Sequence, residues 1–342
     1  MEDAEALGDE GSKMAAKGNL ANVYYIWGRM DEAFKTHSQL LEYFRKKDDK
    51  TDEAVALYQL AVIKQDRGNY KRAVELYHQS LNINKKLGNQ EGIAESLNQL
   101  ALIHFLKSEY GEAEKLFKQS LEILKTFGKQ SSIAVSLYNL ANIEQVRGNY
   151  GDAEKLYKKS LEIYQRLRNL RGMAESLHQL ANIERVRGDY EKAIELYRQS
   201  LNITKRLGDQ DGIAGNLHDL AIIHMRKGEY NEAEKLYEQS FDIRRKLGDQ
   251  FGLARVLNDS VTIHLRRGDY EKAFELLKQC LNIFATLGDQ RGIAASYGHL
   301  GLLHESLNKP TIAADYYLKA LNIFQKIGDK LNATLAKADY ER

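Results

Sequence analysis

One spacing constrains this chain more than anything else in it: residue types return every 40 positions, in register, along nearly its whole length. Alanine stands at positions 33, 73, 113, 153, 193, 233, 273 and 313, and isoleucine at 83, 123, 163, 203, 243, 283 and 323. Tyrosine stands at 70, 110, 150, 190, 230 and 270. A fixed period of this size marks a repeat array, in which each unit is one supersecondary element that buries its apolar face against its neighbours. An array accounts for 342 residues without a set of separate globular domains.

Helices, not strands, fill the units. The chain holds one proline, and proline breaks helix interiors by removing a donor and crowding the preceding turn. In the stretch 90–129, Ile93, Ala94, Leu97, Leu100, Ala101 and His104 recur at helical spacing and predict one apolar stripe. Ser108-Glu109-Tyr110 predicts a turn, which elsewhere reads Gly148-Asn149-Tyr150, Gly188-Asp189-Tyr190 and Gly268-Asp269-Tyr270. Glycine there takes the left-handed conformation that ends a helix, and the Asp or Asn after it offers a side-chain oxygen to cap the next. A second helix follows, with Ala113, Leu116, Phe117, Leu121, Ile123 and Phe127 predicted to face inward. A second glycine closes it, as in Leu207-Gly208-Asp209 and Leu247-Gly248-Asp249. No Asn-Gly hairpin and no period-two alternation signals a strand. The alanine columns at 101, 141, 181, 221 and at 113, 153, 193, 233 predict close helix approach. A larger side chain there overpacks, at a typical cost of about 1–3 kcal/mol.

These features together resemble the tetratricopeptide repeat. The match lies in the Leu-Ala pair of the first helix, the Gly-Asx-Tyr turn, and the Ala-x-x-x-Tyr/Phe of the second helix. Leu180-Ala181, Gly188-Asp189-Tyr190, and Ala193 with Tyr197 show all three. The period exceeds the usual roughly 34 residues, and a Leu-Gly-Asp turn replaces the closing proline. That combination is similar to the Pins/LGN spindle-orientation adaptors and to prokaryotic sensor proteins. The resemblance implies an all-α fold, a right-handed α-solenoid or superhelix of about eight helix-turn-helix units. They would run 11–49, 50–89, 90–129, 130–169, 170–209, 210–249, 250–289 and 290–329. Leu7-Gly8-Asp9 shares the register of Leu207-Gly208-Asp209, so residues 1–10 read as the tail of a preceding helix or a frayed terminus. Residues 330–342 read as a C-terminal capping helix.

Little in the sequence offers chemistry. There is no GxxxxGK[ST] loop, no HExxH, no GxSxG and no GxGxxG after a strand, so neither an enzyme nor a cofactor is expected. Cys280 stands in the column of Ser80, Ser120, Ser160, Ser200 and Ser240, which predicts a small buried packing residue rather than a reactive thiol. His104, His224, His264 and His304 share a first-helix column. Equivalent residues of neighbouring units sit on the order of 10 Å apart, too far to share a zinc ion. Lys plus Arg is 50 and Asp plus Glu is 48, a net charge of +2, which excludes a globally basic nucleic-acid binder. Basic pairs such as Lys205-Arg206 interleave with Glu191 and Glu232 and predict a solvated surface. No apolar run of about 18 residues exists, so no membrane insertion is expected. The acidic opening Met1-Glu2-Asp3 is no secretory signal, and a cytoplasmic location is expected.

The first-helix face opposite the core is the informative surface. Its columns run through positions 95, 98, 99, 102, 105 and 106, which share one face. Core columns barely change between units, but these do. One reads Gly18, Tyr58, Asn98, Tyr138, His178, His218, Asn258, Gly298, and the next Asn19, Gln59, Gln99, Asn139, Gln179, Asp219, Asp259, His299. A third reads Asn22, Val62, Leu102, Asn142, Asn182, Ile222, Thr262, Leu302. A further column carries Gln145, Arg185 and Met225, with Arg226 beside the last. Amides both donate and accept, so they pair with any peptide backbone. Tyr and His add rigid amphipathic contact area. A merely solvated face would carry Lys and Glu instead.

The resemblance implies that this face lines the concave groove of the superhelix, where a peptide or helical segment of a partner lies. Leu20-Ala21-Asn22, Leu140-Ala141-Asn142 and Leu180-Ala181-Asn182 resemble the Leu-Gly-Asn tripeptide of the adaptor family, whose asparagine faces the ligand. The candidate peptide-binding residues are Asn22, Tyr58, Asn98, Gln99, Tyr138, Asn139, Asn142, Gln145, His178, Gln179, Asn182, Arg185, His218, Asp219 and Arg226. The expected function is a non-enzymatic scaffold that binds another protein. The alternatives are a regulatory or sensor arm of a larger signalling protein, such as a STAND-type ATPase, and, behind that, nucleic-acid binding. Self-association through exposed solenoid ends is a further expectation.

Overall fold

The computed structural model describes residues 10–341. The helix tail expected around Leu7-Gly8-Asp9 lies outside them. Seventeen helices and no strand occur among the described residues. They are α1 Glu10–Ile26, α2 Met30–Lys46, α3 Lys50–Asp66, α4 Tyr70–Leu87, α5 Gln90–Leu106, α6 Tyr110–Thr126, α7 Gln130–Val146 and α8 Tyr150–Arg166. Then come α9 Leu170–Arg187, α10 Tyr190–Leu207, α11 Gln210–Arg226, α12 Tyr230–Leu247, α13 Gln250–Arg267, α14 Tyr270–Leu287, α15 Gln290–Ser306, α16 Pro310–Lys326 and α17 Lys330–Glu341.

The chain divides into two compact units, the second beginning at Met173. In the first, α1 packs on α2, α3 on α4, α5 on α6 and α7 on α8 as helical hairpins. Each second helix also packs on the next hairpin, α2 on α3, α4 on α5 and α6 on α7. First helices touch their successors, α3 with α5 and α5 with α7. The second unit repeats this order from α10 to α17, with α11 touching α13 and α13 touching α15.

The turns form as their residues dictate. Gly208 sits at φ 68°, left-handed, and closes α10. Asn69, Asn89, Asp189, Asp209 and Asp249 each accept a backbone N–H from three residues on. Asn149 and Asp269 sit at the same position without that bond. Asn149 instead donates through Nδ2 to Glu144 at 2.7 Å. The core follows the small-residue columns: Ala101 and Ala113 are both fully buried, with Leu100, Ile103 and Phe117 beside them. Phe127, expected inward, is 54% exposed. The helix ends at Thr126, so the inward stripe stops one turn earlier, at Leu124. In α17 Ala336 is buried while Leu331 and Leu335 are exposed.

The two side-chain columns set aside as non-catalytic have packing roles. Cys280 is buried, and its thiol donates to Ala254 O at 3.5 Å. Ser80, Ser120, Ser160, Ser200 and Ser240 make the same bond to the alanine 26 residues earlier. Burial pushes the Cys280 thiol up to about 12, which removes the reactive thiolate at neutral pH. In the histidine column, His104 Nδ1 lies 2.5 Å from Glu109, His224 pairs with Glu229, and His264 stands 3.7 Å from Asp269. The first two thus pair across their own interhelical turns, whereas His264 Nδ1, like His304 Nδ1, is buried without a hydrogen bond. No helix among the described residues is long and apolar enough to cross a membrane.

Candidate functional site

The first-helix face is built in two layers, a buried row of second-helix rings and the polar residues above it. The rings are Tyr77, Phe117, Tyr157, Tyr197, Tyr237 and Tyr317, with Leu277 in the same column. All of their hydroxyls but that of Tyr237 end on the first helix of the same hairpin. Tyr77 donates to Gln65 Oε1 at 3.1 Å and Tyr317 to Glu305 Oε2 at 2.7 Å. Tyr157 OH lies 2.5 Å from Asn142 Oδ1 and 2.7 Å from Gln145 Oε1. Tyr197 OH donates to Asn182 Oδ1 at 2.6 Å. Burial pushes the Tyr157 and Tyr197 phenols far above their usual range, so both remain donors.

Residue type on the first helices alone does not reveal this layer, but the sequence carries a signal for it. The partner stands twelve or fifteen residues before the ring, and the position twelve back changes together with the ring. Where the ring lacks a hydroxyl, as in Phe117 and Leu277, the partner position is apolar, Phe105 and Leu265. The exception is Tyr237, whose partner positions hold Met225 and Ile222. Its hydroxyl is buried with no hydrogen-bond partner. An unsatisfied buried hydroxyl costs about 1–3 kcal/mol, against about 0.5–1.5 kcal/mol gained from a bond made. Met225→Gln, which recreates the Gln65–Tyr77 pair, is therefore expected to raise stability by about 1 kcal/mol. A thermal midpoint that falls, in a variant with unchanged helicity, would remove this account.

The upper layer is stitched between successive first helices. In the first unit, Gln99 Nε2 donates to Tyr58 OH at 3.3 Å, and Gln65 Nε2 donates to Gln99 Oε1 at 3.4 Å. The Tyr58 ring meets Tyr77 edge-on at 5.5 Å, closing the circuit through Gln65. Asn98 Oδ1 accepts from Ser136 Oγ at 3.1 Å. Tyr138 meets Tyr157 edge-on at 5.4 Å. Asn142 keeps an Nδ2 group with no recorded acceptor, and Asn139 is half-buried with no bonded partner. Asn22 is exposed at the start of the array.

In the second unit the same stitches carry charge. His178 Nδ1 lies 3.1 Å from Asn216 Oδ1, and Nε2 lies 3.3 Å from Asp219 Oδ2. One unit on, His218 Nε2 lies 2.8 Å from Asp259 Oδ2. Burial would raise the Asp259 carboxyl, but the His218 imidazole beside it holds it below the usual carboxylate range. Asn182 is crowded: Oδ1 accepts from Tyr197 and from Arg185 Nη2 at 3.3 Å, while Nδ2 donates to Gln179 at 3.2 Å. Burial works against the Arg185 charge, yet Tyr197 and Asp219 nearby favour it. Its Nε is buried without a hydrogen-bond partner, and Arg226 is exposed with no ion pair. The structure thus brings the candidates of each unit together on its first helices. It also binds many of them to one another, which residue type alone did not foretell. Among the described residues no cluster of three His, Cys, Asp or Glu side chains could hold a metal ion.

The profile of the tetratricopeptide repeat matches residues 12–86, 52–126, 132–206, 212–285 and 252–326. Among solved structures, the apo form of the quorum sensor NprR from B. thuringiensis is 15% identical, over 91% of this chain and 87% of its own, with a TM-score of 0.70. A Signal Transduction ATPase with Numerous Domains (STAND) protein with a tetratricopeptide repeat sensor, from Pyrococcus horikoshii, is 16% identical, over 94% of this chain and 50% of its own, also at 0.70. Aspartyl phosphate phosphatase F from Bacillus subtilis is 14% identical, over 84% of this chain and 75% of its own, at 0.67. At these identities the likeness is one of fold. No curated protein matches the chain by sequence. With the profile recurring over most of the sequence, on the helical hairpins described above, the chain belongs to the tetratricopeptide repeat family.

Proposed function

We propose that this protein is a non-enzymatic scaffold whose first-helix face binds a peptide segment of another protein. In this reading the eight stretches from 11–49 to 290–329 are the repeats, and 330–342 caps the last. The observation that carries the proposal is the layering of the face. Tyr157 takes the Asn142 carbonyl from below, which fixes the amide plane and leaves the Nδ2 donors uncommitted. A donor held in place before binding loses less freedom on binding, and backbone carbonyls of an extended peptide suit it whatever their sequence. The outer basic residues give nucleic acid less to hold: Lys227 pairs with Glu191 at 2.8 Å, and Arg267 with Glu234 at 2.6 Å.

The test begins with peptides selected on the intact chain from a random displayed library. Asn142→Ala is expected to weaken a selected peptide roughly 2- to 13-fold, from about 0.5–1.5 kcal/mol for the lost bond. Lys205→Ala with Arg206→Ala, both exposed on α10, serves as the control and should leave affinity nearly unchanged. Isothermal titration that shows the reverse order would move the ligand off this face.

A second reading, a sensor arm within a longer signalling protein, is favoured by the overlay on half of the STAND protein. An ATPase domain continuous with this array in the full gene product would support it.

A further inference from the structure

We propose that the groove between α12 and α14, on the second-helix side of α13, is a binding site for a small organic cation with an aromatic or branched apolar body. It lies beneath the ring of Tyr237, on the side away from the polar layer of the first-helix face, and does not depend on the reading above. One residue opens the floor of the groove. Ser260 stands where other units carry Leu60, Leu100, Leu140, Leu180, Leu220 and Leu300, each between 1% and 6% exposed. Ser260 is half-buried instead, and its hydroxyl folds back on Leu257 O at 2.8 Å. The missing isobutyl group deepens a cleft of about 420 Å³ over α13. That volume falls within the roughly 300–1,000 Å³ of small-molecule sites.

The neighbourhood has been repacked without closing this gap. Val261 replaces the usual alanine and Leu277 the usual ring, two changes that offset each other in volume within one cluster. Neither fills the space above Ser260. Phe241 and Leu276 supply apolar walls. Charge then selects the occupant. Glu234, Glu238 and Asp242 line the cleft from α12, against His264 from α13 and Lys272 from α14. Arg267 and Arg245 neutralise Glu234 and Asp242, while Glu238 is exposed and has no recorded partner. An ammonium at Glu238 with its ring over Ser260 satisfies both features, whereas a carboxylate in the same place would meet the one acid that no arginine neutralises.

Phenethylamine is the probe, with phenylacetate as its anionic counterpart, titrated into the intact chain and followed by amide chemical shifts. Saturable shifts confined to α12, α13 and α14 are expected with the amine, and binding about tenfold or more weaker with the acid. Ser260→Leu restores the residue of the other units, so it should fold, melt higher and lose the amine. Glu238→Lys, on an exposed position, should reverse the preference between the two probes even if the leucine variant misfolds. Amine shifts that do not saturate, or that persist unchanged in Ser260→Leu, would overturn the site. Tighter binding of phenylacetate than of phenethylamine to the native chain would overturn the assignment of charge.

Discussion

Tyr157→Ala should destabilise the array by about 3–5 kcal/mol, the usual range for truncating a large buried side chain. The ring is fully buried, and its hydroxyl closes the Asn142 and Gln145 carbonyls from below. Truncation leaves a cavity between α7 and α8 and frees both amides at once. Tyr157→Phe separates the two contributions. It keeps the ring and removes the bond, so its cost should be about 0.5–1.5 kcal/mol, because the half-exposed amides can turn to water. Tyr237→Phe makes the comparison sharper. It removes a hydroxyl that bonds to nothing, so it should be neutral or stabilising. Denaturant titrations of the three variants check all of this. Equal losses for Tyr157→Phe and Tyr237→Phe would mean that the ring hydroxyls do not support the face above them.

Ala193→Leu should cost about 1–3 kcal/mol by overpacking. Ala193 and Ala181 are both fully buried within one cluster, so the added isobutyl group has no free volume to enter. The damage should stay local, because each repeat contacts only its neighbours and stability is close to a sum of such terms. Hydrogen exchange should therefore quicken in α10 and in the helices packed against it, while α14 to α17 keep their protection. Uniform loosening from α10 to α17 would show that the second unit unfolds as one cooperative block.

The constancy of Ala33 through Ala313 made helix contact legible before any coordinates, because close approach admits few side chains. The serine column likewise foretold the burial of Cys280, since the thiol makes the same bond to the carbonyl 26 residues back. Phe127 was misplaced because periodicity runs on past the residue where the helix stops. The pairing of Tyr77 with Gln65, and of Phe117 with Phe105, was written in the sequence as matched changes twelve residues apart. It went unread because it joins two helices across a turn.

What the sequence by itself determined is the unit: its period, its two helices, its caps and its core columns, all of which depend on contacts within one hairpin or the next. Only the tertiary structure decided the state of the first-helix face. His178 with Asp219 and His218 with Asp259 stand 41 residues apart, one more than the period, and Asn98 with Ser136 stand 38 apart. Those offsets come from the stagger between stacked first helices, which no local pattern encodes. The same stagger decides which polar groups are spent on neighbouring helices and which, like the Asn142 amide protons, remain for a partner.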